Sequence, residues 1–392
     1  MKKTPQMKLP VFLLAAAMAL SACEQKPLAQ QRAERMANAT EDVVIAVAWP
    51  LKSSKASLVE GIDLAVEEIN RRGGILGGRK IKLLLKDDAA SLTTGRQVAQ
   101  EIANDINVAA VIGHINSYVA GPAAQIYERA GLLMITPGAS GQKITGQGGK
   151  LVFRSLPGNP DQGRQIANYA AAQGYESVAI YYVKNYGLDL ANYFEKRARE
   201  LGISIADRRS YDMEGDDHSL VMENWASFVK MDAIFLVGSL PEGAQIVRSV
   251  RAAGLTVPVF SNAGLDSADL IKRGGSSVDG TVVFSLFNIE DPRPEVGAFG
   301  DRFMKKFGKL PDSTAAQGYD TLNLLVHAMS KAQSAVPSEV ATALRATQGW
   351  RGVTGLHTFD EKGDLMQKKL AKVVVRDGKF VYFETDLPQP GL

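Results

Sequence analysis

The chain has 392 residues, with 45 Lys and Arg against 42 Asp and Glu and a single cysteine. One cysteine excludes an intrachain disulfide, a thiolate metal cluster and CxxC redox chemistry, and charge scattered without Lys/Arg clusters excludes recognition of a phosphate backbone. The length exceeds what one growing core accommodates, so two domains are expected.

At the amino end, Lys2, Lys3 and Lys8 flank an apolar stretch, Leu9 to Leu20, that Pro10 interrupts and that is too short to span a bilayer. This is the pattern of a signal peptide, residues 1–22. It ends in Leu20-Ser21-Ala22-Cys23, which resembles the lipobox of bacterial lipoproteins, where the Cys23 thiol receives a diacylglycerol. Removing residues 1–22 takes away three lysines and no acid, so the formal charge of +3 falls to about 0 and the basic balance belongs to the signal. Residues 23–42 are polar, Gln- and Ala-rich and weakly periodic, as a flexible tether between anchor and folded body should be.

Val43 to Ala48 is a continuous apolar, β-branched run, the signature of a strand buried on both faces. Ser57 and Glu60 match a capping box, Leu58, Ile62, Ala65 and Ile69 recur on one helical face, and Gly73-Gly74 supplies a left-handed stop. Further strand-like runs lie at Ile81 to Leu85, Val108 to Ile112, Leu132 to Ile135, Val178 to Val183, Ile203 to Ala206, Ala233 to Val237, Val257 to Phe260 and Thr281 to Phe284, with helical patterns between most of them. Strands alternating with helices mean parallel sheets, and this number calls for two. Helices over Thr314 to Lys331 and Ser338 to Ala346 then precede strand-like runs at Leu356 to Phe359, Ala371 to Arg376 and Phe380 to Phe383, the last two joined by an Asp377-Gly378 hairpin turn.

No GxSxG elbow, GxGxxG loop, GxxxxGK[ST] loop or HExxH pair occurs, and His114, His218, His327 and His357 sit in separate sequence neighbourhoods, so no enzyme, cofactor or metal is expected. An open α/β sheet presents ligands at the carboxyl ends of its strands, beside helix N-termini. Two loops there carry hydroxyls and backbone N–H groups able to hold a carboxylate or carbonyl: Gly113-His114-Ile115-Asn116-Ser117 and Thr136-Pro137-Gly138-Ala139-Ser140-Gly141. Ser117 and Ser140 also suit plain helix capping, and the residues alone leave both readings open.

The ordered set VVIAV, GIDLAVEEINRRGGILG, KDDAAS, VAAVIGHINS, AQIYERAGLLMITPGAS, VFRS, YYVKNYGLDLA, IFLVGSLPEGAQIVRSVRAAGL, GYDTLNLLVHAM and GVTGLHTFDEKGD resembles the type I periplasmic binding proteins of branched-chain amino-acid transporters, the leucine/isoleucine/valine-binding group, from about Val43 to Phe383. The resemblance implies an α/β fold of two Rossmann-like lobes with parallel sheets joined by a three-segment hinge: residues 43–157 plus 288–353 as lobe 1, 158–287 plus 354–384 as lobe 2, and a 385–392 tail. Crossings fall near Leu156 to Pro160, Phe287 to Asp291 and Gly352 to Gly355. A ligand held in the interlobe cleft favours closure by its differential affinity for the closed state.

Carried over residue by residue, the carboxylate site of that family maps onto Asn116 and Ser117 in one loop and Ala139 and Ser140 in the next, with Tyr186, Ser239 and Tyr319 lining the cleft. The acids that pair with a ligand ammonium in amino-acid binders align with Asn159 and about Ala263, so both are lost, and Asp161, Glu242 or Asp266 would have to substitute. Trp49-Pro50-Leu51-Lys52-Ser53 replaces a glycine-rich loop, and Trp49 either walls the pocket or packs within its lobe. Asp87-Asp88 resembles a structural pair. The expected activity is that of a substrate-binding lipoprotein of an ABC importer, monomeric, without cofactor or nucleic acid, held by Cys23 on the periplasmic face, leaning to the outer membrane because Glu24 replaces an inner-membrane retention Asp. Its partners are a small amino-acid-like, carboxylate or amide solute and an ABC permease. The alternative is a lipid-anchored sensory or regulatory subunit using the same cleft on an envelope partner.

Overall fold

The computed structural model describes residues 26–53, 57–213 and 217–383; the expected signal peptide, Cys23 and the 385–392 tail lie outside them. Helix α1 (Leu28–Asn38) precedes β1 (Val43–Trp49), α2 (Ser57–Arg71), β2 (Ile81–Asp87), α3 (Leu92–Asn104), β3 (Val108–Gly113), α4 (Ser117–Arg129), β4 (Leu133–Thr136) and β5 (Val152–Arg154). These five strands form one parallel sheet in the order β2-β1-β3-β4-β5. The chain then builds α5 (Asn159–Ala172), β6 (Ser177–Val183), α6 (Gly187–Glu200), β7 (Ser204–Tyr211), α7 (Ser219–Phe228), β8 (Ala233–Val237), α8 (Glu242–Ala252), β9 (Val259–Ser261), α9 (Ala268–Gly274) and β10 (Val282–Ser285). It continues with α10 (Pro294–Phe307), α11 (Ser313–Ala332), α12 (Pro337–Arg345), β11 (Trp350–Gly352), β12 (Gly355–His357), β13 (Ala371–Arg376) and β14 (Lys379–Phe383). The second sheet runs β14-β13-β10-β9-β8-β6-β7, parallel except for the closing β13–β14 hairpin. That hairpin turns through Asp377 and Gly378, both at positive φ as a tight primed turn requires.

The central strands of each sheet are buried on both faces, which is why they read as unbroken apolar runs rather than alternating ones. In the first lobe, Ile45, Val47, Ile112 and Ile135 pack with residues of α2, α11 and α12, while Ala46, Val111 and Met134 pack with α3 and α4. Helices α2 and α11 approach so closely that a methyl added to Gly61 would meet the Ala315 carbonyl oxygen at 1.9 Å, and one on Gly318 would meet the Leu58 oxygen at 2.3 Å. Their N-termini are tied as well. Ser57, expected as a capping-box residue, instead donates its hydroxyl to Asp312, 2.8 Å away, the carboxylate that caps α11 through the Ala315 N–H.

Two expectations are corrected. The segment 23–42 is not a featureless tether: Leu28–Asn38 is helical, and Ala29, Arg32, Ala33 and Met36 recur at the three- and four-residue spacing of a buried face. Arg32 is fully buried and donates to the carbonyls of Ala103, Asp105, Val108 and Ala130, which satisfy its guanidinium away from water. The third crossing, expected at Gly352 to Gly355, comes later, because Phe359 and Leu365 bury their apolar side chains in the first-lobe core. Leu370 joins the second-lobe core, and Gln165 holds the returning strand by bonds to the Lys368 carbonyl and the Leu370 N–H.

Under this passage lies a buried polar cluster. Lys368 donates to the Thr354 hydroxyl at 2.6 Å, which in turn donates to Asp320; Asp320 also accepts the N–H groups of Val353 and Thr354 at 2.8 and 2.7 Å. Arg293, on the second crossing, reaches the carbonyls of Gly352 and Val353 at 2.9 Å.

Candidate ligand-binding cleft

Strands β1, β3 and β4 end side by side, and their loops form one wall of a cavity of about 710 Å3 whose opposite wall comes from the second lobe. The loops after β3 and β4 are braced together. The Thr136 hydroxyl donates to the His114 carbonyl at 2.7 Å and accepts the N–H groups of Gly138 and Ala139, while the Ser117 hydroxyl accepts the Gly141 N–H at 3.0 Å. Ser117 opens α4 and therefore stands at the donor-bearing, positive end of that helix. Because its oxygen accepts from Gly141, its proton remains available to donate to a ligand oxygen. Ser140 lines the same cavity, and its carbonyl accepts the Asn159 N–H at 2.9 Å.

Beneath these loops, Asp88 accepts from His114 Nδ1 at 2.6 Å, and Asp87 accepts the Leu51 and Ala89 N–H groups. Both carboxylates thus bridge loops. Trp49 is 1% exposed: it closes the base of the cavity, packed so tightly that a methyl on Gly138 would meet its ring at 2.8 Å. The two readings of Trp49 are therefore both partly right, since it packs within its lobe and offers the cavity only an edge.

From the second lobe come Tyr186, Ser239 and Ala263, together with Asn185, Asp212 and Asn262. The Tyr186 and Ser239 hydroxyls share a 2.6 Å hydrogen bond, and burial pushes the Tyr186 phenol up to about 12, so it stays neutral. Asn262 accepts the Gly238 N–H at 3.0 Å, and Asp212 is paired with Lys184 at 2.5 Å. The loop after β4 also reaches the second lobe directly, with the Gln142 N–H on Asp189 and Tyr193 bonded to the Gln142 side chain.

Of the residues expected at the site, Trp49, Asn116, Ser117, Ser140, Tyr186, Ser239 and Ala263 line the cavity; Ala139, Asn159 and Tyr319 do not. Ala139 is fully buried in the first-lobe core. Asn159 lies behind Ser140 and spends its amide on Asp189 at 3.0 Å. Tyr319 donates to Glu68 at 2.9 Å and accepts from Arg302, outside the cavity lining. Helix α11 contributes Ser313, Thr314 and Gln317 instead, and Tyr319 is two residues beyond Gln317, about 200° further round the helix. None of the candidate substitute acids, Asp161, Glu242 and Asp266, lines the cavity. Sequence reasoning missed Tyr118, whose hydroxyl donates to the Ala90 carbonyl at 2.6 Å; its position one residue after Ser117 was the available signal.

A family model described as periplasmic binding protein matches residues 44–379. The chain is 31% identical over 355 residues to the Leu/Ile/Val-binding protein homolog 2 of Brucella abortus (strain 2308), covering 88% of this chain and 94% of that protein. Among solved structures, the ABC transporter substrate-binding protein from Desulfitobacterium hafniense in complex with Leu is 37% identical with a TM-score of 0.78, covering 88% of this chain and all of that one. A leucine binding protein from Thermotoga maritima is 29% identical with a TM-score of 0.81, covering 87% of this chain and 98% of the other.

Proposed function

Because the chain belongs to the periplasmic binding proteins, in the branch that contains the Leu/Ile/Val-binding proteins, we propose that it is the solute receptor of an ABC importer. In this reading it captures a small carboxylate- or amide-bearing molecule between its lobes and delivers it to the permease. Its relatives are solute-binding proteins rather than enzymes, and the family acts outside the cytoplasm. The observation that carries the reading is the convergence of Ser117 and Ser140, one tied to the other's loop through Gly141, on a cavity bounded by both lobes. A solute touching Ser117 on one side and Ser239 on the other stabilises the closed arrangement by the contacts it makes only there. Lipidation at Cys23 then holds a monomeric receptor at the periplasmic face, on the outer membrane in our reading.

The test joins small-angle scattering with calorimetry on the mature protein, titrated with leucine, other amino acids, amides and simple carboxylates. Compaction on binding any of them supports the reading. Absence of both binding and compaction across the whole series refutes it, and a mature N-terminus lacking diacylglycerol by mass spectrometry removes the anchor from it.

A further inference from the structure

One residue of the first lobe, Gln142, is held by the second lobe at two points. Its N–H donates to Asp189 Oδ2 at 3.3 Å, and its side-chain oxygen accepts the Tyr193 hydroxyl. Asp189 and Tyr193 stand four residues apart in the first two turns of α6, so they share one face of that helix. The same Oδ2 accepts the Asn159 amide at 3.0 Å, which ties the grip to the first crossing. Helix α6 is not free to shift alone, because it packs so closely on α5 that a methyl on Gly163 would meet Tyr193 Cβ at 2.7 Å. Whatever moves α6 against Gln142 therefore carries α5 with it.

The first-lobe side of the grip is anchored as firmly. Gly141, next to Gln142, gives its N–H to Ser117 at 3.0 Å and accepts Arg154 Nη1 on its carbonyl at 2.8 Å. Arg154 is fully buried and also donates to Thr145 and to Asp364, on the segment that leads to the third crossing. The Ser140 carbonyl accepts the Asn159 N–H at 2.9 Å. Residues 140–142 thus join the Ser117 hydroxyl to two of the crossings and to α6. Gln142, Asn159, Asp189 and Tyr193 all lie outside the cavity lining, so their bonds favour the closed arrangement without touching a solute. Resting on the reading of the cleft as the solute site, we propose that Gln142, Asp189 and Tyr193 form an interlobe clasp that keeps much of the solute-free receptor closed and so sets its affinity. The apparent Kd is the intrinsic one divided by the closed fraction, which makes these three positioning residues.

The experiment follows amide exchange and small-angle scattering of the mature protein without solute, then calorimetry with L-leucine. The Gln142 N–H, in an exposed loop, should exchange at least about tenfold faster in Asp189→Ala than in wild type, and the radius of gyration should rise. Tyr193→Phe loses only the hydroxyl and should move both readings the same way by less. Asp189→Asn can present its Oδ1 where Oδ2 accepts both bonds, so it should keep most of the protection; a carboxylate that served only the positive start of α6 would leave the Asn and Ala variants alike. Leucine should bind Asp189→Ala about three- to tenfold more weakly. Equal Gln142 exchange in wild type and Asp189→Ala, an unchanged radius of gyration, an unchanged leucine Kd, or an Asn variant as loose as the Ala one would each overturn the inference. Silence from leucine and from the wider solute series sinks the receptor reading, while exchange and scattering still decide the clasp.

Discussion

Replacing Ser117 by alanine removes one oxygen that serves two partners. It accepts the Gly141 N–H at 3.0 Å, a neutral bond worth about 0.5 to 1.5 kcal/mol, and in the receptor proposed above its proton would meet a solute oxygen. The first loss is felt with and without ligand; the second is felt only when ligand is bound. Leaving a buried carboxylate oxygen short of a donor costs about 1 to 3 kcal/mol, so the Kd should rise roughly 5- to 150-fold. The unliganded Tm should fall only slightly, because one loop-to-loop bond is spread over a large cooperative lobe. Calorimetry gives the first quantity and thermal melts with and without solute give the second; ligand at 100 times Kd normally adds about 2.7 kcal/mol, and a tenfold weaker site at the same concentration adds about 1.4 kcal/mol. If the unliganded Tm drops as far as the liganded one while Kd is unchanged, Ser117 is a structural cap and the placement of the solute is wrong.

Arg32→Ala should destabilise the protein by about 2 to 3 kcal/mol, a fall of roughly 4 to 12 °C in Tm, and deleting 24–38 should cost the same, because either change undocks α1; additive losses would argue against that. Lys368, pushed down to about 8 by burial with Asp320 partly opposing, is protonated below that pH whether folded or unfolded, so its penalty is fully present there. Between about pH 8 and 10.5 the folded state releases the proton first, so in denaturant titrations the wild type should gain on Lys368→Met by up to about 1.4 kcal/mol per pH unit; parallel curves for the two proteins would refute the assignment. Ala263→Glu adds a carboxylate to the cavity wall, and calorimetry should show at least about tenfold weaker binding of a simple carboxylate together with a gain for leucine; equal changes for both would show the new acid turned away from the solute.

How much of this was legible beforehand depended on which physical signal each part carried. The buried strands announced themselves through uninterrupted β-branched runs, and the first-lobe half of the cleft followed from where loops must lie in a parallel sheet, so Ser117 and Ser140 could be named without coordinates. Three-residue strands such as β5 and β11 carry too few residues for any period to register. Tyr319 falls outside the cavity because a motif gives sequence position but not helical phase, and about 200° of helix separates it from Gln317, which does line it. Tyr118 was overlooked beside a more obvious hydroxyl. Helix α1 was hidden by composition: two alanines, an arginine and a single methionine make its inward face, and hydropathy cannot foresee that a guanidinium will find four carbonyl partners in the interior.

Those four partners sit where α3 and α4 end and β3 begins, the edge of the first sheet opposite the cleft, with the six residues of β3, about 20 Å, between them. Only three peptide steps, at most about 11 Å of chain, separate Cys23 from Lys26, where the described residues begin. A protein acylated at Cys23, as proposed, would consequently be moored within a short reach of α1, the helix that Arg32 docks onto the first lobe.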